Sequence, residues 1–408
     1  MKKSFLVLIY FICILYSLEI LSFFFIINRS NTIIGNNKAE KIIEFKTWGE
    51  SRNKNNVYPS FSLQSIKNLD IYFNNPFFKD FLEEKILSEK KIPFRGPINK
   101  LSLDSDEDGI MGLVINDKYG FKNDNKNYEN AIDVMIIGDS FAEGVPFGNK
   151  DDVSGLINLN SDYNSINYGI SGAGPLNSLG VLREYGKNFK PRNIFYFFYE
   201  GNDIKDLSDE KKSYLVKYLN RSFNQDLFNS ETELQSFLNS YEKLFFKNLP
   251  NIIELENTNK KNLNSRSVIK LSFIENLQDI LEFKKLKQIL IPKDAYFNKN
   301  KKLDYASFEK VIIEMQHEVD KWDGKLTLIY LPSWTRYDRI FSIAHKIIKK
   351  KIKNITLKNN VTFIDMDRVF KKNLINDIYL FNSAKYGHYT KRGYKKIADT
   401  IIEKLEAK

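Results

Sequence analysis

The chain has 408 residues, enough for about two or three domains. Its 42% hydrophobic and 28% charged content is that of a globular protein, which excludes a disordered or fibrous chain. Its single cysteine, Cys13, excludes an intrachain disulfide, and its formal charge of +11 is spread through a chain-wide bias toward Lys, Asn and Ile. Anionic polysaccharide or lipid headgroups are conceivable targets for such a charge. With no zinc spacing and no nucleic-acid-binding motif, no nucleic-acid partner is expected.

Residues 4–28 are almost continuously apolar, preceded by Lys2 and Lys3 and followed by Arg29. About 20 apolar residues span a bilayer. The run is too long for a signal-peptide core and no small-x-small cleavage site follows, so residues 1–29 read as an uncleaved anchor. The leading lysines favour a cytoplasmic N-terminus, with the rest of the chain in the periplasm or outside the cell. Glu19 sits inside the run, where an ionisable side chain either meets a partner or reaches for the interface.

Residues 30–125 alternate Asn-, Lys- and Ser-rich stretches with short apolar clusters, and read as a stem and an irregular subdomain. The acidic stretch from Leu103 to Gly109 lacks the spacing and terminal Glu of an EF-hand, so it reads as a solvated turn.

A βα rhythm begins near residue 130. Val134 to Ile137 is an apolar run without alternation, as in a parallel strand covered on both faces, and it leads into Gly138-Asp139-Ser140. A helix from about Asp151 to Asn158, a strand Ser165 to Tyr168 and the turn Gly169 to Gly174 follow. Pro175 opens a helix to about Asn188. The strand Asn193 to Tyr199 then ends in Glu200-Gly201-Asn202-Asp203. Residues 207–324 lose the strand pattern and read as a mainly helical insertion, with helical spacing in Leu234 to Phe246 and Leu271 to Leu286. A lid over the site and a structural elaboration are both open readings of it. The rhythm resumes with a helix Tyr305 to Trp322, strand Lys325 to Leu331 and a basic amphipathic helix, about Asp338 to Lys353. Strand Val361 to Asp365 and a final helix carrying Ile397, Ala398, Ile401, Ile402 and Leu405 on one face complete residues 325–408. Strands alternating with helices predict a parallel sheet with covered faces, in two parts (126–206 and 325–408) around the insertion.

Parallel strands place the turns at Ser140, Gly172 and Asn202 on one edge of the sheet, where open α/β sheets carry their chemistry. Acyl transfer needs a nucleophile, a base, and donors aimed at an oxyanion. Ser140 supplies a hydroxyl, Gly172 an unobstructed backbone N–H and Asn202 a side-chain amide. Of three histidines, His317 and His345 fall within predicted helices, whereas His388 lies in a Gly-containing loop before the last helix, suited to a base. No cofactor is called for, and three histidines, one cysteine and no HExxH motif leave little from which to build a catalytic zinc site.

Gly138-Asp139-Ser140, Gly172, Gly201-Asn202-Asp203 and His388 resemble, in order and spacing, the Ser-Gly-Asn-His pattern of SGNH (GDSL-type) hydrolases. The likeness covers residues 130–206 and 325–408. The strings around Leu182 to Gly186, Phe198 to Asp203, Tyr330 to Trp334 and Gly387-His388-Tyr389 are similar to a membrane-anchored bacterial branch of that family. The resemblance implies a three-layer α/β/α, flavodoxin-like sheet of about five parallel strands. It further implies esterase or O-acyltransferase chemistry, with Ser140 as nucleophile, Gly172 and Asn202 in the oxyanion hole and His388 as base. The substrate would be an acylated, in the first place acetylated, carbohydrate of the cell envelope, with a membrane acyl-donor protein as a conceivable partner. The family's Asp three residues before the histidine is here Lys385. A Ser–His dyad, a substitute carboxylate (Asp365 or Asp367), or a catalytically weak glycan-binding or scaffolding protein are the readings this departure leaves open.

Overall fold

The computed structural model describes residues 10–18, 21, 42, 57–62, 91–107, 110–251, 253–254, 303–337, 342–372, 380–381 and 387–407. Among the N-terminal ones, residues 10–18 are helical, and Tyr10, Phe11 and Ile14 are exposed. No helix of the described residues is long and apolar enough to cross a membrane. The rest of the apolar run, with Glu19, lies outside the described residues, as does the predicted helix Leu271 to Leu286.

Five short strands come before the main sheet: β1 (Val57–Pro59), β2 (Phe61–Ser62), β3 (Arg95–Gly96), β4 (Leu101–Glu107) and β5 (Ile110–Ile115). β1 pairs parallel with β4, β4 antiparallel with β5, and β2 antiparallel with β3. The acidic stretch from Leu103 lies at the β4–β5 hairpin.

The main sheet comprises β6 (Val134–Gly138), β7 (Ser165–Gly169), β8 (Asn193–Tyr199), β9 (Lys325–Leu331) and β10 (Thr362–Asp365), in the order β10-β9-β8-β6-β7 with every pair parallel. Numbered within the sheet this is the flavodoxin-like order 2-1-3-4-5, whose direction of winding reverses between β6 and β8. The helices are α1 (Ser140–Glu143), α2 (Val153–Asn160), α3 (Pro175–Val181), α4 (Asp203–Glu210), α5 (Glu231–Lys247), α6 (Tyr305–Asp320), α7 (Ser342–Lys358), α8 (Met366–Lys372) and α9 (Lys391–Glu406). α3 continues through a π turn at Leu182–Gly186 into Lys187–Phe189, so the expected single helix carries one irregular turn.

Period-two alternation explains the layers. Met135, Ile137, Ile194, Tyr196, Phe198, Leu328 and Tyr330 point into one core, which α3, α6 and α7 cover. Val134, Ile136, Phe195, Phe197, Ile329 and Leu331 point into the other, beneath α2, α8 and α9. On α9 the predicted stripe is buried at Ile397, Ala398, Ile401 and Leu405, while Ile402 is only partly covered. Each fully buried aliphatic side chain contributes roughly 1.5–3 kcal/mol relative to exposure.

The residues before 126 share the first core: Phe61, Phe94, Ile98 and Phe121 belong to the same buried cluster as α3 and α6. α5, inside the predicted insertion, packs Phe237 and Tyr241 edge-on to Phe61 and Leu238 against Gly96. Its described contacts thus brace the small strands. No strand interrupts the described residues of 207–324.

α1 lies directly on the end of β7 at Gly169, the register partner of Gly138. A Cβ at Gly169 would lie 2.2 Å from Glu143 N and 2.6 Å from Ala142 C, both backbone atoms that cannot swing away. Gly169→Ala is therefore expected to cost about 1–3 kcal/mol or more in urea unfolding. An unchanged unfolding midpoint would contradict this packing.

Candidate active site

Gly138 of β6 is flanked in register by Gly169 of β7 and Phe197 of β8, so the turns that follow these strands open side by side. Asp139 is the N-cap of α1: its carboxylate accepts the Phe141 N–H at 2.9 Å, which holds Ser140 at the first position of a single helical turn. His388 comes from 248 positions away, and its Nε2 lies 2.7 Å from Ser140 Oγ. That contact joins the two residues expected from sequence to form a nucleophile–base pair.

His388 is set by its neighbours. Tyr389, fully buried, donates its hydroxyl to Pro332 O at 2.7 Å, just beyond β9. Thr390 caps α9 by accepting the Gly393 N–H at 3.2 Å. The Phe141 ring stacks on Tyr199 at 3.8 Å between centroids and lies 4.8 Å from the His388 ring. The residue after the serine therefore forms part of the seat for the histidine.

Gly172 adopts φ +76°, a left-handed conformation that favours glycine. The residue before it is anchored: Ser171 donates its N–H (2.6 Å) and its hydroxyl (2.5 Å) to Glu143 Oε2 on α1. Asn202 precedes α4, and its carbonyl accepts the Lys205 and Asp206 N–H groups at 2.8 and 2.9 Å.

Burial pushes the Asp139 carboxyl up to about 6, against the Phe141 N–H, the charge of His388 and the Asn202 amide, all of which favour ionisation. Asp203, also buried, accepts from Tyr196 Oη at 3.1 Å and Tyr199 N at 3.2 Å. Burial, then repulsion from Asp139 and Asp206, raises its carboxyl well above the ordinary value.

Asp365 and Asp367 face cations. Lys349 Nζ lies 3.0 Å from Asp365 and 2.7 Å from Asp367, and Lys371 and Arg336 also reach Asp367, at 2.8 and 3.5 Å. Their partners do not include His388, so neither takes the position of an orienting acid. Lys385 lies outside the described residues. The charge of His388 favours ionisation of Asp139. His345, treated from sequence as ordinary, is fully buried with Nδ1 3.4 Å from Glu200 Oε1, and half-buried His317 lies on α6.

Glu200, just before Gly201-Asn202, anchors a buried cluster that the sequence reading passed over. It accepts from Ser333 N at 2.7 Å and Arg336 Nε at 2.8 Å, and also bonds Tyr330 Oη and Arg336 Nη2. Burial opposes its ionisation, but hydrogen bonds and charge from His345 and Arg336 outweigh this and hold the carboxyl below its ordinary range. Arg336 Nη2 also donates to His345 O at 2.9 Å. The cluster thus ties the Asn202 turn to the loop that anchors Tyr389. The other pair passed over, Glu143 and Arg95, meets at 2.7 Å with both side chains 2% exposed. Charged residues next to apolar strands were the available signal, but their arginines lie 48 and 136 positions away.

No family model and no curated protein matches the chain. Among solved structures, it is similar to a lipase/acylhydrolase from Enterococcus faecalis at 12% identity, covering 68% of this chain and 96% of that one, with a TM-score of 0.37. An acetylxylan esterase from Geobacillus stearothermophilus matches at 12% identity over 67% and 93%, TM-score 0.36. An α/β hydrolase from the metagenome of Lake Arreo, Spain, matches at 11% over 66% and 93%, TM-score 0.36. Similarity this low carries no functional weight; the geometry of the site has to carry it.

Two expectations follow. Because the folded chain holds the Asp139 proton more tightly than a free aspartate does, ionisation counts against the fold as pH rises from 3.8 through about 6. Asp139→Asn keeps the acceptor for Phe141 N–H. It should gain stability relative to the parent across that window, by on the order of 3 kcal/mol at pH 7, at about 1.4 kcal/mol per tenfold in ionisation constant. Urea midpoints at pH 4 and pH 7 test this, and a stability difference independent of pH counts against it. Arg336→Met, which strands the Glu200 charge, should destabilise by about 3–5 kcal/mol in the same assay at neutral pH.

Proposed function

We propose that this chain is a serine-dependent ester hydrolase or O-acyltransferase of the SGNH type. Its substrate is an acyl ester, in the first place acetyl, of cell-envelope carbohydrate. The observation that carries the reading is the 2.7 Å contact between Ser140 Oγ and His388 Nε2, at the carboxyl edge of a parallel sheet. General-base activation needs this reach.

In the first half-reaction His388 Nε2 takes the Ser140 hydroxyl proton as Oγ attacks the ester carbonyl. The carbonyl oxygen becomes an oxyanion, which Gly172 N–H, the Asn202 amide and Ser140 N–H stabilise. Collapse breaks the bond to the sugar oxygen, which leaves with the proton from His388 as the acyl group remains on Ser140. In the second half-reaction His388 takes a proton from the acceptor, which attacks the acyl-enzyme, and Ser140 leaves with that proton. With water as acceptor the products are a carboxylic acid and free enzyme; with a sugar hydroxyl the acyl group moves to a new ester.

The charge of His388 favours ionisation of Asp139, which places a carboxylate in the field of the base. This supports catalysis with Lys385 at the position where the resemblance would put an acid. The apolar run at residues 4–28 supports a single-pass anchor in the cytoplasmic membrane, with the site in the periplasm or outside the cell. Glu19 within that run is the feature that fits a membrane acyl-donor partner. The rival reading, a glycan-binding or scaffolding protein without turnover, leaves the Ser140–His388 contact without a purpose.

The test is labelling of the full chain by a fluorophosphonate, together with acetate release from acetylated oligosaccharides. Ser140→Ala should abolish both. Asn202→Ala should lower kcat by about 10²–10³, the scale of one oxyanion donor. A Ser140→Ala variant that still releases acetate at the parent rate would falsify the assignment.

A further inference from the structure

We propose that Arg95, from the strands that precede the catalytic sheet, is a positioning residue for the oxyanion site. It fixes the Glu143 carboxylate, and Glu143 fixes Ser171, the residue whose carbonyl is joined to the Gly172 N–H. The inference rests on the catalytic reading above and goes beyond it by making the N-terminal subdomain part of the active site.

The geometry divides the Glu143 carboxylate between two clients. Oε1 takes Arg95, with Nε at 3.2 Å and Nη2 at 2.7 Å. Oε2 takes Ser171, with the backbone N–H at 2.6 Å and the hydroxyl at 2.5 Å. Ser171 is the residue before Gly172, so two donors on one carboxylate oxygen immobilise the chain where the Gly172 N–H begins. Glu143 also ends α1, whose first residue is Ser140. One side chain thus gauges the distance between the nucleophile's helix and the donor's turn.

Arg95 is itself held from behind. Its Nη1 donates to Gly120 O at 2.7 Å and to Asn116 Oδ1, and Asn116 donates to Ser102 Oγ at 2.9 Å. A second cation of the same subdomain, Lys122, donates to the main chain at Glu143 O (2.8 Å) and Phe147 O (2.6 Å), and pairs with Asp152 at 3.2 Å. Side chain and main chain of Glu143 are therefore both fixed by residues outside the catalytic sheet.

Charge explains why an arginine is needed. A carboxylate accepts two donors from Ser171 better than a neutral amide would, but an unpaired anion beside the Gly172 turn would repel the developing oxyanion and resist burial. The guanidinium cancels that charge on the oxygen facing away from Ser171. Buried ion pairs contribute little to net stability compared with apolar packing, whereas fixing donors before the reaction acts directly on the rate.

The experiment uses the full-length, detergent-solubilised chain, with kcat and KM for an acetyl ester, the fluorophosphonate labelling rate at Ser140, and the melting temperature. Arg95→Met should lower kcat and the labelling rate by about 30- to 100-fold, short of the full 10²–10³ of a lost donor, with KM within about threefold. Arg95→Lys should recover part of that loss. Ser171→Ala leaves the ion pair intact, so it should lower kcat several-fold at an unchanged melting temperature, which keeps the test decisive if Arg95→Met does not fold. Combined with Arg95→Met, Ser171→Ala should add little, whereas Asn202→Ala should add its full factor, because coupling is confined to groups that share one pathway. A folded Arg95→Met protein with the parent kcat, or a Ser171→Ala protein with the parent kcat, overturns the inference alone. A parent chain whose Ser140 neither labels nor turns over ester overturns the catalytic reading and this inference with it.

Discussion

Parallel pairing of β6 with both β7 and β8 is the constraint on which the site depends. It sets Gly138 between Gly169 and Phe197, so three strands end together and three turns open on one edge. The winding reverses between β6 and β8, which leaves the crevice that open α/β sheets use for ligands. Ser140 needs no further placing than Asp139 capping one helical turn. His388 is brought from the far end of the chain by α9, which packs beneath the sheet and bonds Tyr394 Oη to Val145 O at 2.9 Å, just past α1. Burial of α9's apolar face therefore also holds the histidine that precedes it in place.

The strands of the sheet were legible because burial on both faces writes an apolar run that no loop would carry. β8 and β9 match their expected ranges, and β6, β7 and β10 differ by a residue at an end. Helix ends were read less well. α2 starts at Val153 because Asp152, not Asp151, accepts the Gly155 N–H. α7 runs on to Lys358, beyond the expected Lys353, with Ile355 still buried on its core face. Of the candidate site, the pairing of Ser140 with His388 was legible because a glycine turn after an apolar strand and a scarce histidine stand out in a Lys- and Asn-rich chain. The roles of Asp365 and Asp367 were not. Their carboxylates are claimed by Lys349, 16 and 18 positions away on another helix, and no local pattern announces such a pairing.

The same limit hid the arginines. Glu143 and Glu200 each lie within a few residues of a functional turn, and each is buried against a guanidinium from a distant segment. An apolar substitute would fill the same volume, yet only a carboxylate offers two oxygens that can serve different donors. At Glu143 one oxygen faces Arg95 and the other Ser171. At Glu200 the carboxylate gathers Arg336, Ser333 and Tyr330 and so joins the Asn202 turn to the segment that holds Tyr389. These groups are desolvated and fixed before any ligand arrives, which is the condition under which donors act most strongly on a developing charge.

Asp139 completes this logic from the opposite direction. Burial works against its charge, while Phe141 N–H, His388 and Asn202 work for it, so its ionisation is balanced rather than settled by one partner. The same carboxylate caps the serine's helix and lies in the field of the base. Adding a proton there would weaken both interactions, since a neutral acid holds an N–H less firmly than a carboxylate and offers an imidazolium no compensating charge. Asp365 and Asp367 are bound to cations, whereas the carboxylate that opens the serine's turn is held toward its charged form in part by His388.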